Sequence, residues 1–312
     1  MGTAAIRLEQ VTRDFGSVRA LDGLSLEVPA GIVFGFLGPN GSGKTTTIRI
    51  LLGLLAPTGG RAQVLGFDQA TQSDQIRACS GALLEHSGLY PRLSAEDNLE
   101  YYARIWRLPP AERRARAQEL LTHAGLWDRR RELVEGWSQG MRQKLAIARA
   151  LLHRPTMVFL DEPTAGLDPV AAASLREDLA GLAAREGATV FLTTHNLHEA
   201  QQLCAQVAVI RQGKLVAAGT PDELCRNHQQ AGLEVVGRGF TEALLAELRQ
   251  RPEVASAELE EGVLYLALRE EASAAPLVRA IVTSGAEVEE VRRVRATLEE
   301  AFLALMEEDA DG

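Results

Sequence analysis

Gly38-Pro39-Asn40-Gly41-Ser42-Gly43-Lys44-Thr45 is the stretch on which the reading of this chain turns. It follows Ile32 to Leu37, apolar at nearly every position, as a strand buried on both faces must be. It opens Lys44 to Leu55, where Ile48, Leu51, Leu52 and Leu55 recur at helical spacing until Pro57 ends the run. Strand, glycine-rich loop and helix in this order satisfy the phosphate-loop pattern G-x-x-x-x-G-K-[ST] in the context that gives it meaning. Glycines let backbone N–H groups turn towards phosphate oxygens, and the helix N-terminus adds partial positive charge. Gly38, Pro39, Asn40, Gly41, Ser42, Gly43, Lys44, Thr45 and Thr46 are therefore the expected nucleotide-binding residues. Lys44 is expected on the β- and γ-phosphates and the Thr45 hydroxyl on Mg²⁺.

A second apolar run, Met157-Val158-Phe159-Leu160, ends in Asp161-Glu162. Asp161 suits the Mg²⁺ shell, and Glu162 suits a base or orienter for an attacking water. On its own the acidic pair reads equally well as an N-terminal cap for the next segment. Thr189 to Thr193 repeats the buried-strand pattern, and a helix separates the two: Asp168 suits its N-cap, Pro169 its first turn and Gly187 its end. The sequence between Ser94 and about Val134 is mainly helical, with Ser94 and Asp97 as a capping pair and Pro109-Pro110 as a break. Its arginine runs read as a solvated helix face. Val207 to Ile210 and Leu215 to Ala218 flank Gln212-Gly213-Lys214 as a hairpin.

The 312 residues suggest about two folded units. The expected division is a domain over 1–225, a polar linker over 226–232, and a small α+β domain over 233–312. The last has the order β-α-β-β-α-β of a ferredoxin-like split unit. A net charge of -9 argues against a generally basic nucleic-acid binder. The longest apolar stretches, such as Ile50 to Ala56, fall far short of the ~20 residues that span a bilayer, and no secretory core opens the sequence, so a cytoplasmic location is expected. Cys79, Cys204 and Cys225 are too few and too widely spaced for a disulfide framework.

Trp137-Ser138-Gln139-Gly140-Met141-Arg142-Gln143-Lys144-Leu145-Ala146-Ile147-Ala148-Arg149-Ala150-Leu151 is similar to the Leu-Ser-Gly-Gly-Gln signature and helix of the ATP-binding cassette (ABC) ATPases. With the order of phosphate loop, helical insert, signature and Asp-Glu strand, the chain resembles the nucleotide-binding subunit of ABC transporters from about Ile6 to Leu224. The resemblance implies an α/β fold: a phosphate-loop NTPase cassette with a mixed sheet core, a β subdomain and a helical insert, with the smaller α+β domain after it. It implies ATP and Mg²⁺, hydrolysis, and a head-to-tail homodimer or heterodimer of ATPase subunits. It further implies that Phe15 stacks on adenine. Ser138 and Gly140, with Gln139 and Met141 beside them, would meet the γ-phosphate held by the partner subunit. Ala165-Gly166-Leu167-Asp168 resembles the loop coupling the two sites, and His195 matches a histidine that contacts γ-phosphate and steadies the Glu162 water.

Two departures stand out. The signature has Gln139 and Met141 where the family has Gly and Gln. Glu85 occupies the place of a Gln that ligates Mg²⁺ and reports to the membrane partner; a shift of one residue would put His86 there. The unit after Arg226, ending Ala296-Thr297-Leu298-Glu299-Glu300-Ala301-Phe302-Leu303, resembles the extension on ATPases of bacterial multidrug and antibiotic exporters of the daunorubicin-resistance type. The expected role is thus an ATPase subunit, peripheral on the cytoplasmic face of the membrane, coupled to a separate ABC transmembrane permease that exports a drug or other small molecule. The competing role is a soluble ABC-type ATPase in translation or DNA repair. No nucleic-acid partner is expected.

Overall fold

The computed structural model describes residues 4–228, 232–260, 262–269, 273–294 and 297–308. Its contacts fall into two units, Met1–Pro221 and Asp222–Gly312.

In the first unit, β1 (Ala4–Phe15) and β2 (Val18–Pro29) form a long antiparallel pair, and β3 (Val33–Leu37) comes next with all five residues buried. Helix α1 (Lys44–Leu51) is shorter than the apolar spacing suggests, because Leu52 caps it and Gly53 turns away at φ 67°. Then come β4 (Gly59–Val64), β5 (Phe67–Asp68), α2 (Ser73–Cys79) and β6 (Ser80–Leu83). None of these four stands out in the sequence, since each is only two to seven residues long. The helical insert contains α3 (Ala95–Ile105), capped by the Ser94 hydroxyl on the Asp97 N–H, and α4 (Pro110–His123). Helix α5 (Gln139–Ala150) leads to β7 (Met157–Asp161), α6 (Pro169–Glu186) and β8 (Thr189–Thr194). Asp168 accepts from the N–H groups of Val170 and Ala171 to start α6, and Gly187 leaves it at φ 64°. After α7 (Leu197–Leu203) the hairpin of β9 (Gln206–Arg211) and β10 (Lys214–Gly219) turns on Gln212 and Gly213, both at positive φ.

Two sheets result. One runs β2-β1-β4-β5 and is antiparallel. The other runs β10-β9-β3-β8-β7-β6, parallel from β9 to β6 with β10 added antiparallel at one edge. Its central strands carry Phe34, Phe36, Phe159 and Phe191, whose rings pack at centroid distances of 5.4 to 5.9 Å. Such burial on both faces is why these strands read as unbroken apolar runs.

Contacts divide the units at Pro221, four residues before the expected end of the first domain at Cys225. Helix α8 (Pro221–His228) occupies that boundary, so Arg226 to His228 are helical where a linker was expected. Pro221 at its first position and two acids in its first turn are the local cause. Residues 229–231 of the expected linker lie outside the described residues. In the second unit, β11 (Gly232–Arg238), α9 (Glu242–Arg249), β12 (Val254–Glu260), β13 (Val263–Leu268), α10 (Ala274–Thr283) and β14 (Glu287–Val294) precede α11 (Leu298–Glu308). The sheet order is β12-β13-β11-β14, antiparallel throughout. Its own core, built around Leu233, Val235, Leu248, Leu264, Leu268, Leu277 and Ile281, is apolar.

Candidate functional site

The phosphate loop joins β3 to α1 with glycines at the positions that tolerate nothing else. A Cβ on Gly38 would lie 2.3 Å from the Ile210 carbonyl oxygen, and one on Gly43, at φ 109°, 2.7 Å from that of Ala20. Helix α1 has Gly43 as its N-cap and no side-chain cap on its first turn. Among the described residues the buried Ser42 hydroxyl also has no hydrogen-bond partner. Open donors at a helix N-terminus, a glycine cradle and an unsatisfied hydroxyl are what a phosphate chain fills.

Lys44 is buried, and its ammonium donates to the carbonyls of Gly38 at 2.7 Å and Pro39 at 3.1 Å. It also stands 3.5 Å from Glu162 Oε1. The loop therefore holds a cation at its mouth through acceptors that phosphate oxygens can replace. Next to it, the Thr45 hydroxyl donates to Asp161 Oδ2 at 2.8 Å. A hydroxyl and a carboxylate brought together are hard oxygen ligands that fit Mg²⁺.

Register in the parallel sheet makes this meeting possible. Asp161 on β7 pairs with Thr193 on β8, and Leu37 on β3 pairs with Thr194. Thr193 donates its hydroxyl to Asp161 Oδ1 at 2.6 Å, and its hydroxyl and carbonyl both accept from the Glu162 N–H. Glu162 sits at φ 48°, a conformation a non-glycine residue holds only when its neighbours enforce it. His195, one residue beyond β8, places Nδ1 2.6 Å from Glu162 Oε2. One carboxylate oxygen thus faces the imidazole and the other faces Lys44.

The loop after Glu162 is anchored from two sides. Gln143 and Gln139 on α5 donate to the carbonyls of Pro163 at 2.7 Å and Ala165 at 3.1 Å, while Thr164 donates to the buried Glu199 on α7 at 2.6 Å. Nothing in the sequence marks Thr193, Gln143, Thr164 and Glu199 as site residues. Their positions acquire meaning only when β7, β8, α5 and α7 are assembled.

The remaining expected residues lie elsewhere. Phe15, at the end of β1, is 47% exposed, with the Arg13 guanidinium 4.5 Å over its ring. Ser138 caps α5 by accepting from the Met141 N–H, and the Met141 sulfur accepts from Arg129. Among the described residues no hydrogen bond joins Ser138 or Gly140 to Lys44, Thr45, Asp161 or Glu162. Glu85 is not bonded to Thr45 or Asp161 either. Its side chain is 71% exposed and pairs with Arg49 on α1 at 3.3 Å. Both Glu85 and His86 nonetheless line one open cleft of about 780 Å³ with Thr45, Asp161, Glu162 and Gln139.

A thiol and a histidine lie off this cluster. Burial pushes the Cys204 thiol up to about 12, with Glu199 adding to the effect, which makes it an inert core group. Burial pushes His153 down to about 4, against a Ser80 carbonyl hydrogen bond that acts the other way, while the Arg116 charge reinforces the fall.

The family model of the ABC transporter matches residues 21–165. The daunorubicin resistance ATP-binding protein DrrA3 of Streptomyces coeruleorubidus is 37% identical over 310 residues, covering 99% of this chain and 98% of that protein. A Nod factor export ATP-binding protein I of Cupriavidus metallidurans is 37% identical, covering 97% of each. Among solved structures, a dimeric ATP-binding cassette in a post-hydrolysis state with ADP and Pi aligns with a TM-score of 0.63 at 28% identity, over 69% of this chain and 98% of that one.

Proposed function

The chain belongs to the ABC transporter ATP-binding proteins, a family of ATPases, and from that premise we propose that it is the ATP-hydrolysing subunit of an exporter whose permease is a separate chain. One observation carries the reading: Lys44, Thr45, Asp161, Glu162 and His195 converge at the mouth of the phosphate loop. Among the described residues no helix is long and apolar enough to cross a membrane, so the permease supplies the spans.

ATP is the substrate. Its phosphates take the open N–H groups of the loop and of the first turn of α1, and Lys44 exchanges the Gly38 and Pro39 carbonyls for β- and γ-phosphate oxygens. Thr45 and Asp161 would hold Mg²⁺, which when bound neutralises charge on those phosphates. Glu162 accepts a proton from water as the water oxygen bonds to the γ-phosphorus and the bond to the β-phosphate oxygen breaks, leaving ADP and phosphate. His195 holds one Glu162 oxygen, and the other, beside Lys44 in the nucleotide-free site, is the one that meets the water once Lys44 turns to the phosphates. Across a head-to-tail dimer, Ser138 and Gly140 meet the partner's γ-phosphate, and Phe15 with its cationic neighbour Arg13 forms the adenine platform. The helical insert and the Glu85 loop face the permease, which keeps the subunit at the cytoplasmic side of the membrane.

Export of a drug or other small molecule is the direction we favour, because resistance and export proteins match nearly the whole chain, second unit included. The same matches weigh against a soluble role in translation or repair. Purification from membranes tests the reading. The chain is expected to co-purify with a multi-span protein lacking ATPase motifs, and drug efflux is expected to stop in cells carrying Glu162→Gln. Robust ATP turnover with no membrane partner and no effect on efflux would sink it.

A further inference from the structure

Gln139 is the residue at which the signature departs from the family's glycine, and its side chain reaches back into its own subunit. Its Nε2 donates to the Ala165 carbonyl at 3.1 Å, in the loop that leaves Glu162. The fit is close: at Gly166, φ 71°, an added Cβ would lie 2.7 Å from the same Nε2. Glycine at position 139 has no side chain to make this contact.

We propose that Gln139 is a positioning residue for Glu162, tying the signature segment of each subunit to that subunit's own water-orienting loop. The idea rests on the reading of Ser138 and Gly140 as the residues that meet the partner's nucleotide. These two flank Gln139, so a displacement of the signature on engagement is carried through one backbone to the Gln139 amide and from there to Ala165. Ala165 donates its N–H to the Glu162 carbonyl at 3.1 Å, which closes the turn. Glu162 itself holds positive φ, so its side-chain direction depends on what braces this loop. Gln143 and Thr164 brace neighbouring positions, but Gln143 lies a turn further along α5 and Thr164 answers to α7. Of the three braces, Gln139 alone stands between the two proposed signature contacts.

The test compares the full-length protein with Gln139→Gly and Gln139→Glu. Residue 139 is exposed, so both variants are expected to fold. The glycine variant loses the donor and the carboxylate variant replaces it with an acceptor facing a carbonyl. In both, kcat is expected to fall roughly tenfold, the size of one lost neutral hydrogen bond that places a reacting group, while KM stays within about twofold. Deuterium uptake at the backbone amides of residues 164–168 is expected to rise in the nucleotide-free protein. Placed on a Glu162→Gln background, Gln139→Gly is expected to keep the ATP-dependent dimer, seen by light scattering, that Ser138→Arg abolishes. Parent kcat with parent uptake overturns the proposal. So does loss of ATP affinity or of the dimer in Gln139→Gly, because the residue would then contact nucleotide instead of bracing the loop. A dimer that persists in Ser138→Arg condemns the composite-site reading itself, and is a separate result.

Discussion

Lys44, Thr45, Asp161, Glu162 and His195 stand at or just beyond the carboxyl ends of three adjacent parallel strands, whereas Glu85 comes after the edge strand β6 and Ser138 caps a helix. Within the first set, hydrogen bonds of 2.6 to 2.8 Å join residues 116 and 33 positions apart. The second set is exposed, and its partners are Arg49 and the helix's own Met141 N–H. The difference separates a cluster held together by sheet register from exposed residues whose contacts lie at the surface. A one-residue slip of β7 against β8 would send Asp161 to the opposite face.

Replacing Glu162 by Gln is expected to produce the largest effect. Turnover should fall about 10²–10⁴-fold if Glu162 is the general base proposed above, with ATP affinity retained, measured by phosphate release beside calorimetry. Lys44→Ala comes next: ATP affinity should drop roughly 10–100-fold, since the cation facing the phosphates is removed. Unchanged calorimetric affinity would break the assignment of the preorganised set. Thr193→Val strips a hydroxyl that both donates to Asp161 and accepts from Glu162, so unfolding by denaturant should show a loss of about 1–3 kcal/mol.

The edge region offers a pH test. His153 stacks on Trp106 at 3.7 Å and meets the Ser80 carbonyl where β6 begins. Its folded pKa, near 4, lies below the ordinary 6.5, so the unfolded chain binds a proton more readily. The stabilisation is complete above pH 6.5 and is lost as pH falls towards 4. Between about pH 7 and 5 the parent should lose about 1–2 kcal/mol more than His153→Gln in parallel denaturant titrations. Smallest of all, Glu85→Gln should alter folding stability by under ~0.5 kcal/mol, because its pair with Arg49 is exposed. A larger loss would show that the edge set is as firmly built as the centre.

Much was legible along the chain because its signals are local. The glycines of 38–43 and the lysine after them announce a phosphate loop through φ requirements and a helix start that adjoining residues satisfy. Asp168, Pro169 and Gly187 mark the ends of α6 by capping, and Gln212-Gly213 marks the hairpin by positive φ. Family resemblance then supplied roles for Glu162, Ser138 and His195 that spacing alone leaves open.

Tertiary structure decided the rest. The order β10-β9-β3-β8-β7-β6 places strands from distant parts of the chain side by side, and no periodicity encodes which strand lies next to which. Thr193 became the hinge between Asp161 and Glu162, Gln139 turned inward to Ala165, and Glu85 found Arg49 only through that assembly. The short elements β4 to β6 and α2 left little trace because segments of two to seven residues carry too few positions to show a period. Backbone conformation is set by a residue and its near neighbours. Side-chain partnership depends on which buried faces pack together, and that free energy belongs to the whole core.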